Sequence, residues 1–124
     1  MTLPHYKTSI SEITILDNRI IQTRVYEGEM IELEDIIEIL DICKIITRNH
    51  KHHSLMVAGE SSNISGPARE YLLENVEWAL SLSLVSNSLA HRILFNYSMR
   101  SLKHIPSKIH ATTWIALKWV DELD

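Results

Sequence analysis

Three groups of residues have the types from which a site is made. The first is a loop, Ser61-Ser62-Asn63-Ile64-Ser65-Gly66-Pro67-Ala68-Arg69-Glu70, between the apolar run 55–59 and the start of a helix near Ala68. A strand running through such a loop into a helix can cradle an anion, because the first backbone N–H groups and the helix dipole both favour negative charge. Ser62, Asn63, Ile64, Ser65, Gly66 and Arg69 are the candidate residues. Pro67 removes one donor, and Arg69 supplies a charge. The plainer reading is preferred: Ser65 caps the helix, and Arg69 and Glu70 are solvated.

The second group is His50, His52 and His53. Three imidazoles within four residues suggest a metal, but they sit in a predicted turn without a Cys or Asp ligand. No metal and no cofactor is expected. The third group is Ser65 or Ser86 with His91 or His110, the raw material of a hydrolase. No G-x-S-x-G elbow, Gly-rich phosphate loop or H-E-x-x-H accompanies them. Seven histidines make chance pairings common, so no enzyme activity is expected.

The elements that must position these groups are readable from periodicity. Residues 9–16 alternate with period two, and residues 19–27 are rich in β-branched and aromatic types, so the two predict an antiparallel hairpin turned at Asp17-Asn18 and ended by Gly28. Residues 32–48 repeat apolar residues at three- and four-residue spacing, through Leu33, Ile36, Ile37, Leu40, Cys43 and Ile46. Acidic residues come first and basic ones last, which suits the helix dipole. Its six isoleucines are poor helix formers, so packing has to decide it. After a turn at 49–54, the run 55–59 predicts a buried strand.

A helix over 67–80 follows, with Ala68, Leu72, Val76, Ala79 and Leu80 as its stripe, then a strand over 82–86. A helix from Leu89 to about Leu102, capped by Asn87 or Ser88, is predicted to bury Ala90, Ile93, Leu94 and Tyr97. Pro106 breaks the chain. A short edge strand at 108–110 and a helix over 113–123, with Ile115, Ala116, Trp119, Val120 and Leu123 inward, complete the order ββαβαβαα. Four to five strands in a mixed sheet with about four helices make an α/β sandwich.

The bulk numbers agree with one domain over 1–124. A lone cysteine, Cys43, excludes an internal disulfide and suits a reducing compartment. No signal sequence and no apolar run of membrane-spanning length is seen, so a cytoplasmic location is expected. A net charge of −4 argues against general nucleic-acid binding, although His91, Arg92, Arg100, Lys103, His104, Lys108 and His110 make the last third more basic than the first.

The element order, the loop with Ser65-Gly66 opening a helix, and the ending KIHATTWIALKWVDEL, with Pro106 before it and Trp119 near its close, together resemble the STAS, or SpoIIAA-like, group. These are sulfate-transporter and anti-sigma-factor-antagonist domains and their small bacterial relatives, and the resemblance spans nearly the whole chain. It implies a mixed-sheet sandwich, and a loop whose serine is phosphorylated by a partner kinase. Aligned on Ser65-Gly66, Asn63 takes the family's Asp position, Ile64 the phosphoserine position and Ser65 the second serine. The acceptor hydroxyl is therefore absent from its place.

The function expected is a non-enzymatic regulatory or protein-interaction domain. It would act through the 60–69 loop and the following helix on a protein partner such as an anti-sigma-like kinase. Trp119 lies on an apolar stripe, whereas Trp78 and Trp114 fall off theirs, and on these two rests the expectation of a homodimer. The alternative is a small-ligand or lipid carrier, since lipid carriers share this fold and the apolar faces of 33–48 and 89–102 could line a pocket.

Overall fold

The computed structural model describes residues 5–17, 19–59, 61–102 and 105–123. Asn18 of the predicted turn, Glu60, Lys103 and His104 lie outside them. A six-stranded sheet is built from β1 (His5–Lys7), β2 (Ser11–Asp17), β3 (Ile20–Val25), β5 (His52–Val57), β7 (Ala79–Val85) and β8 (Ser107–His110), in that spatial order. A separate two-stranded ladder joins β4 (Met30–Ile31) to β6 (Asn63–Ile64). The helices are α1 (Leu33–Ile46), α2 (Gly66–Glu74), α3 (Leu89–Ser98) and α4 (Thr113–Leu123), and a 3-10 turn, Met99–Ser101, follows α3.

The α/β class and the mixed sheet agree with the sequence reading, but the sheet has six strands rather than four to five. β1, β4 and β6 are too short to show a period. The opening hairpin is antiparallel, with Ile13 opposite Thr23 and Ile15 opposite Ile21. β3, β5, β7 and β8 are all parallel neighbours. Right-handed crossovers that step the same way across a sheet leave their helices on one face. The main core agrees: Ile36, Ile39, Leu40 and Cys43 of α1, Ala68 and Leu72 of α2, and Phe95 of α3 pack with Ile13, Ile21, Met56, Leu82, Leu84 and Ile109 of the sheet. On the opposite face α4 works alone, setting Ala116 and Val120 against Ile20, Leu55 and Val85. Beside it, over β2 and β3, the same face is polar and carries Glu12, Thr14, Gln22 and Arg24.

Helix α1 starts as its charges suggest: the Glu32 N–H donates to Asp35 Oδ2 at 2.9 Å. It ends through Arg48 and Asn49, both in the left-handed region at φ 54° and 61°. Several boundaries move. The strand expected at 55–59 begins at His52, so both histidines belong to a buried strand and not to a turn. The helix expected over 67–80 stops at Glu74, and Ala79 and Leu80 open β7.

Two helices are rotated from expectation. In α3 the buried residues are His91 and Phe95, whereas Ala90, Ile93 and Tyr97 are exposed and Leu94 is half-buried. In α4 Ile115 and Leu123 are exposed, while Ala116 and Val120 face in with half-buried Trp119. Trp114 is exposed, and Trp78 is half-buried against the main core.

Candidate functional site

In open α/β sheets ligands bind outside the carboxyl ends of the parallel strands. Here that edge is formed by Val25, Val57, Val85 and His110, where the 58–65 loop leaves β5 and the turn into α3 leaves β7. The described residues of the loop are pinned along its length. The Ala58 N–H donates to the Val85 carbonyl at 2.9 Å, and the Ser62 N–H to the Gly59 carbonyl at 3.1 Å. The Asn63 N–H donates to Glu29 O at 3.0 Å and the Ser65 N–H to Ile31 O at 2.9 Å, which fixes β6 on β4.

The loop serines are all engaged. Ser62, buried, donates its hydroxyl to the Tyr26 carbonyl at 2.9 Å. Ser61 is exposed; its N–H reaches Glu27 Oε1 at 2.8 Å, and its hydroxyl binds the same carboxylate. These bonds, the hydroxyl first and the amide second, hold the Glu27 carboxyl below its ordinary pKa. Gly59 lies under that carboxylate, in the space a Cβ would fill. Ser65 is the N-cap of α2, its Oγ accepting from the Ala68 N–H at 3.2 Å. A Cβ on Gly66 would meet nothing within 4 Å, so no steric need dictates glycine there.

Ile64, at the position a phosphoserine would take under the resemblance, is 8 % exposed and belongs to the core. Arg69 is half-buried on α2, and among the described residues its side chain makes no hydrogen bond or ion pair. The fold thus brings Ser62, Asn63, Ile64, Ser65 and Gly66 together as one pinned loop, and leaves Arg69 apart from the polar contacts.

Beneath the loop lies an apolar cleft lined by Val57, Ser62, Ile64, Leu72, Val85, Ser86, His91 and Phe95. Its volume is about 40 Å³, room for a water molecule or two, whereas organic ligands occupy about 300 Å³ or more. Residues of α1 do not line it.

At the rim Ser86 Oγ lies 2.7 Å from His91 Nδ1, and both side chains are buried. The same Oγ accepts from the Ser88 N–H at 3.1 Å, and Ser88 Oγ accepts from the His91 N–H at 3.3 Å. The sequence could name this pair but not its contact. A hydrolytic dyad needs an orienting group on the far ring nitrogen. Among the described residues no acidic side chain bonds His91, and the bonds that exist build the first turn of α3.

The other pairings do not form. Ser65 meets neither histidine. His110 points to the opposite face, its ring centroid 5.2 Å from that of Trp119. Neither of its ring nitrogens has a hydrogen-bond partner among the described residues, and burial, helped by the Lys108 charge, pushes its pKa down. The His50, His52 and His53 group is split: His52 Nδ1 meets the His50 carbonyl at 2.8 Å, while His53 Nδ1 meets Ser81 Oγ at 2.7 Å. Adjacent residues of a strand point to opposite faces. Among the described residues no three His, Cys, Asp or Glu are placed to hold a metal ion.

What sequence reasoning missed is the clamp of Glu27 on Ser61 and the β4–β6 ladder. Both join segments more than 30 residues apart, and no local pattern marks them. Among the described residues no helix is long and apolar enough to cross a membrane. No family model matches the chain, and none of the curated proteins or solved structures matches it.

Proposed function

We propose that this chain is a non-enzymatic regulatory or interaction domain of STAS-like architecture that works by surface recognition in the cytoplasm. The observation that carries the proposal is on α3. Leu89, Ile93 and Tyr97 are 70 %, 63 % and 72 % exposed, at i, i+4 and i+8 on one side of the helix. Single exposed apolar residues are ordinary, whereas an aligned row of three marks a contact surface. The recognition surface therefore extends from the loop to α3, more than to α2 as the sequence suggested.

Phospho-switching at the loop is the weaker version of this reading. Position 64 is buried, Ser62 and Ser65 spend their hydroxyls on the fold, and a phosphate on Ser61 would face the Glu27 carboxylate. The small cleft weighs against a lipid carrier.

The test is a photo-crosslinking amino acid placed at Ile93, and at Gln22 on the polar sheet face as a control, in the cell the protein comes from. A protein crosslinked at position 93 and not at 22 supports the reading. No crosslink at 93, or ester hydrolysis by the purified protein that Ser86→Ala removes, overturns it.

A further inference from the structure

We propose that the α3 row is the seat of a partner's amphipathic helix flanked by acidic residues. The inference rests on the interaction reading above and adds the chemistry of the partner. Leu89, Ile93 and Tyr97 lie opposite His91 and Phe95, which face the sheet. The row spans two turns, about 12 Å, the spacing at which one helix meets another. Arg92 and Arg100 border it, both exposed, and the Arg100 guanidinium sits 5.6 Å from the centre of the Tyr97 ring.

The charge on this segment is of one sign. Helix α3 and the 3-10 turn after it carry Arg92 and Arg100 and no Asp or Glu, in a chain whose net charge is −4. The segment that displays the apolar row is thus basic within an acidic protein.

That sign separates the candidate occupants. A second copy docking α3 on α3 would be related by a two-fold axis, so each patch would meet itself. Arg92 and Arg100 would face their own kind, and α3 has no acid to pair with them. An anionic membrane would accept the charge, but surface binding calls for about four to eight basic residues or a longer amphipathic helix. Two arginines around three apolar residues are too few. A partner helix with Leu or Ile at i, i+4 and i+7, and Glu or Asp beside them, answers both the row and its borders.

The test uses the purified full chain and a labelled helical probe of roughly 20 residues, with a leucine stripe and glutamate flanks, followed by fluorescence anisotropy. A twin probe has lysine for glutamate, and phosphatidylserine–phosphatidylcholine vesicles form the third arm. The glutamate probe is expected to bind at least about tenfold more tightly than its twin at low salt. Arg92→Glu with Arg100→Glu should reverse that preference. Ile93→Asp should weaken the glutamate probe about tenfold or more, with the melting temperature unchanged. Failure of the glutamate probe to bind, equal binding of the twins, a preference that survives the double reversal, or vesicle binding that Ile93→Asp abolishes would each overturn the acidic-helix partner. If position 93 crosslinks to a protein while the twins bind equally, only the partner chemistry falls. If nothing crosslinks there, the interaction reading itself falls.

Discussion

Replacing Ile64 by Ser places a hydroxyl where the resemblance would set a phosphoserine, and it should cost the fold dearly. Ile64 is 8 % exposed, held in the β4–β6 ladder and packed into the main core. The change removes three buried carbons, about 2.4 kcal/mol at ~0.8 kcal/mol each. The ladder restrains the backbone, so the space collapses only in part. A residual void on the order of 40 Å³ adds about 1 kcal/mol. The expected loss is about 3 kcal/mol, against a total of roughly 6–19 kcal/mol for a chain of 124 residues. Urea unfolding followed by circular dichroism measures it as a fall in midpoint at constant slope. Ser65→Ala, which removes only a helix cap, is the reference and should lose about 1 kcal/mol. An Ile64→Ser protein within about 1 kcal/mol of the parent would refute the argument that position 64 is structural, and would reopen the loop as a phosphorylation site.

Three further outcomes follow from the same contacts. Glu27→Gln should free the loop: the Ser61 amide, which in the parent should follow the titration of a carboxyl with lowered pKa by NMR, should lose that dependence and exchange faster with solvent. The Glu27 contribution is present above the unfolded pKa and is lost as pH falls through the lowered folded one. His110 behaves with the opposite charge. Its folded pKa is lowered, so the unfolded chain takes up the proton first, and stability should fall as pH drops below the ordinary histidine range. His110→Phe, which keeps a ring against Trp119, should flatten that acid slope in melting curves recorded from pH 8 to pH 5, and a slope unchanged in the variant would count against it. Cys43 is 1 % exposed and burial pushes its thiol up to about 12, so labelling by a thiol reagent at pH 8 should proceed only at the rate of unfolding and accelerate in urea; fast labelling of the native protein would contradict the packing of α1.

The legible parts of this fold are those whose burial and hydropathy agree. Helix α1 was readable because Ile36, Leu40 and Cys43 share one face and the core takes that same face. Helix α3 was readable as a helix but not in its rotation. Two stripes compete along it, Ile93 with Tyr97 and His91 with Phe95, and hydropathy favours the first. The fold takes the second, because Ser86 and Ser88 tie the first turn to His91 and leave Phe95 pointing at the sheet. A polar side chain with a partner can be buried, and its partner is not visible from spacing. His53 makes the same point: it reads as part of a turn, yet its bond to Ser81 places it 3 % exposed in a central strand. At the candidate site, the sequence located the loop and the Ser65 cap. The Glu27 clamp and the β4–β6 ladder depend on pairings between distant segments, and these leave no local trace.

The spatial order of the main sheet has a consequence for how the protein is made. Each strand lies beside the main-sheet strand synthesised just before it, from β1 to β8. A chain leaving the ribosome can therefore extend the sheet one strand at a time, without holding a gap open for a later arrival. Every growing edge is covered by the next strand to emerge, and α1, α2 and α3 cover one face as they appear. The other face has to wait. Leu55 and Val85 stay bare there until α4 has been made, so the nascent chain is most exposed to aggregation and to chaperones after its sheet is complete. Ala116 and Val120, near the end of the sequence, close that interval.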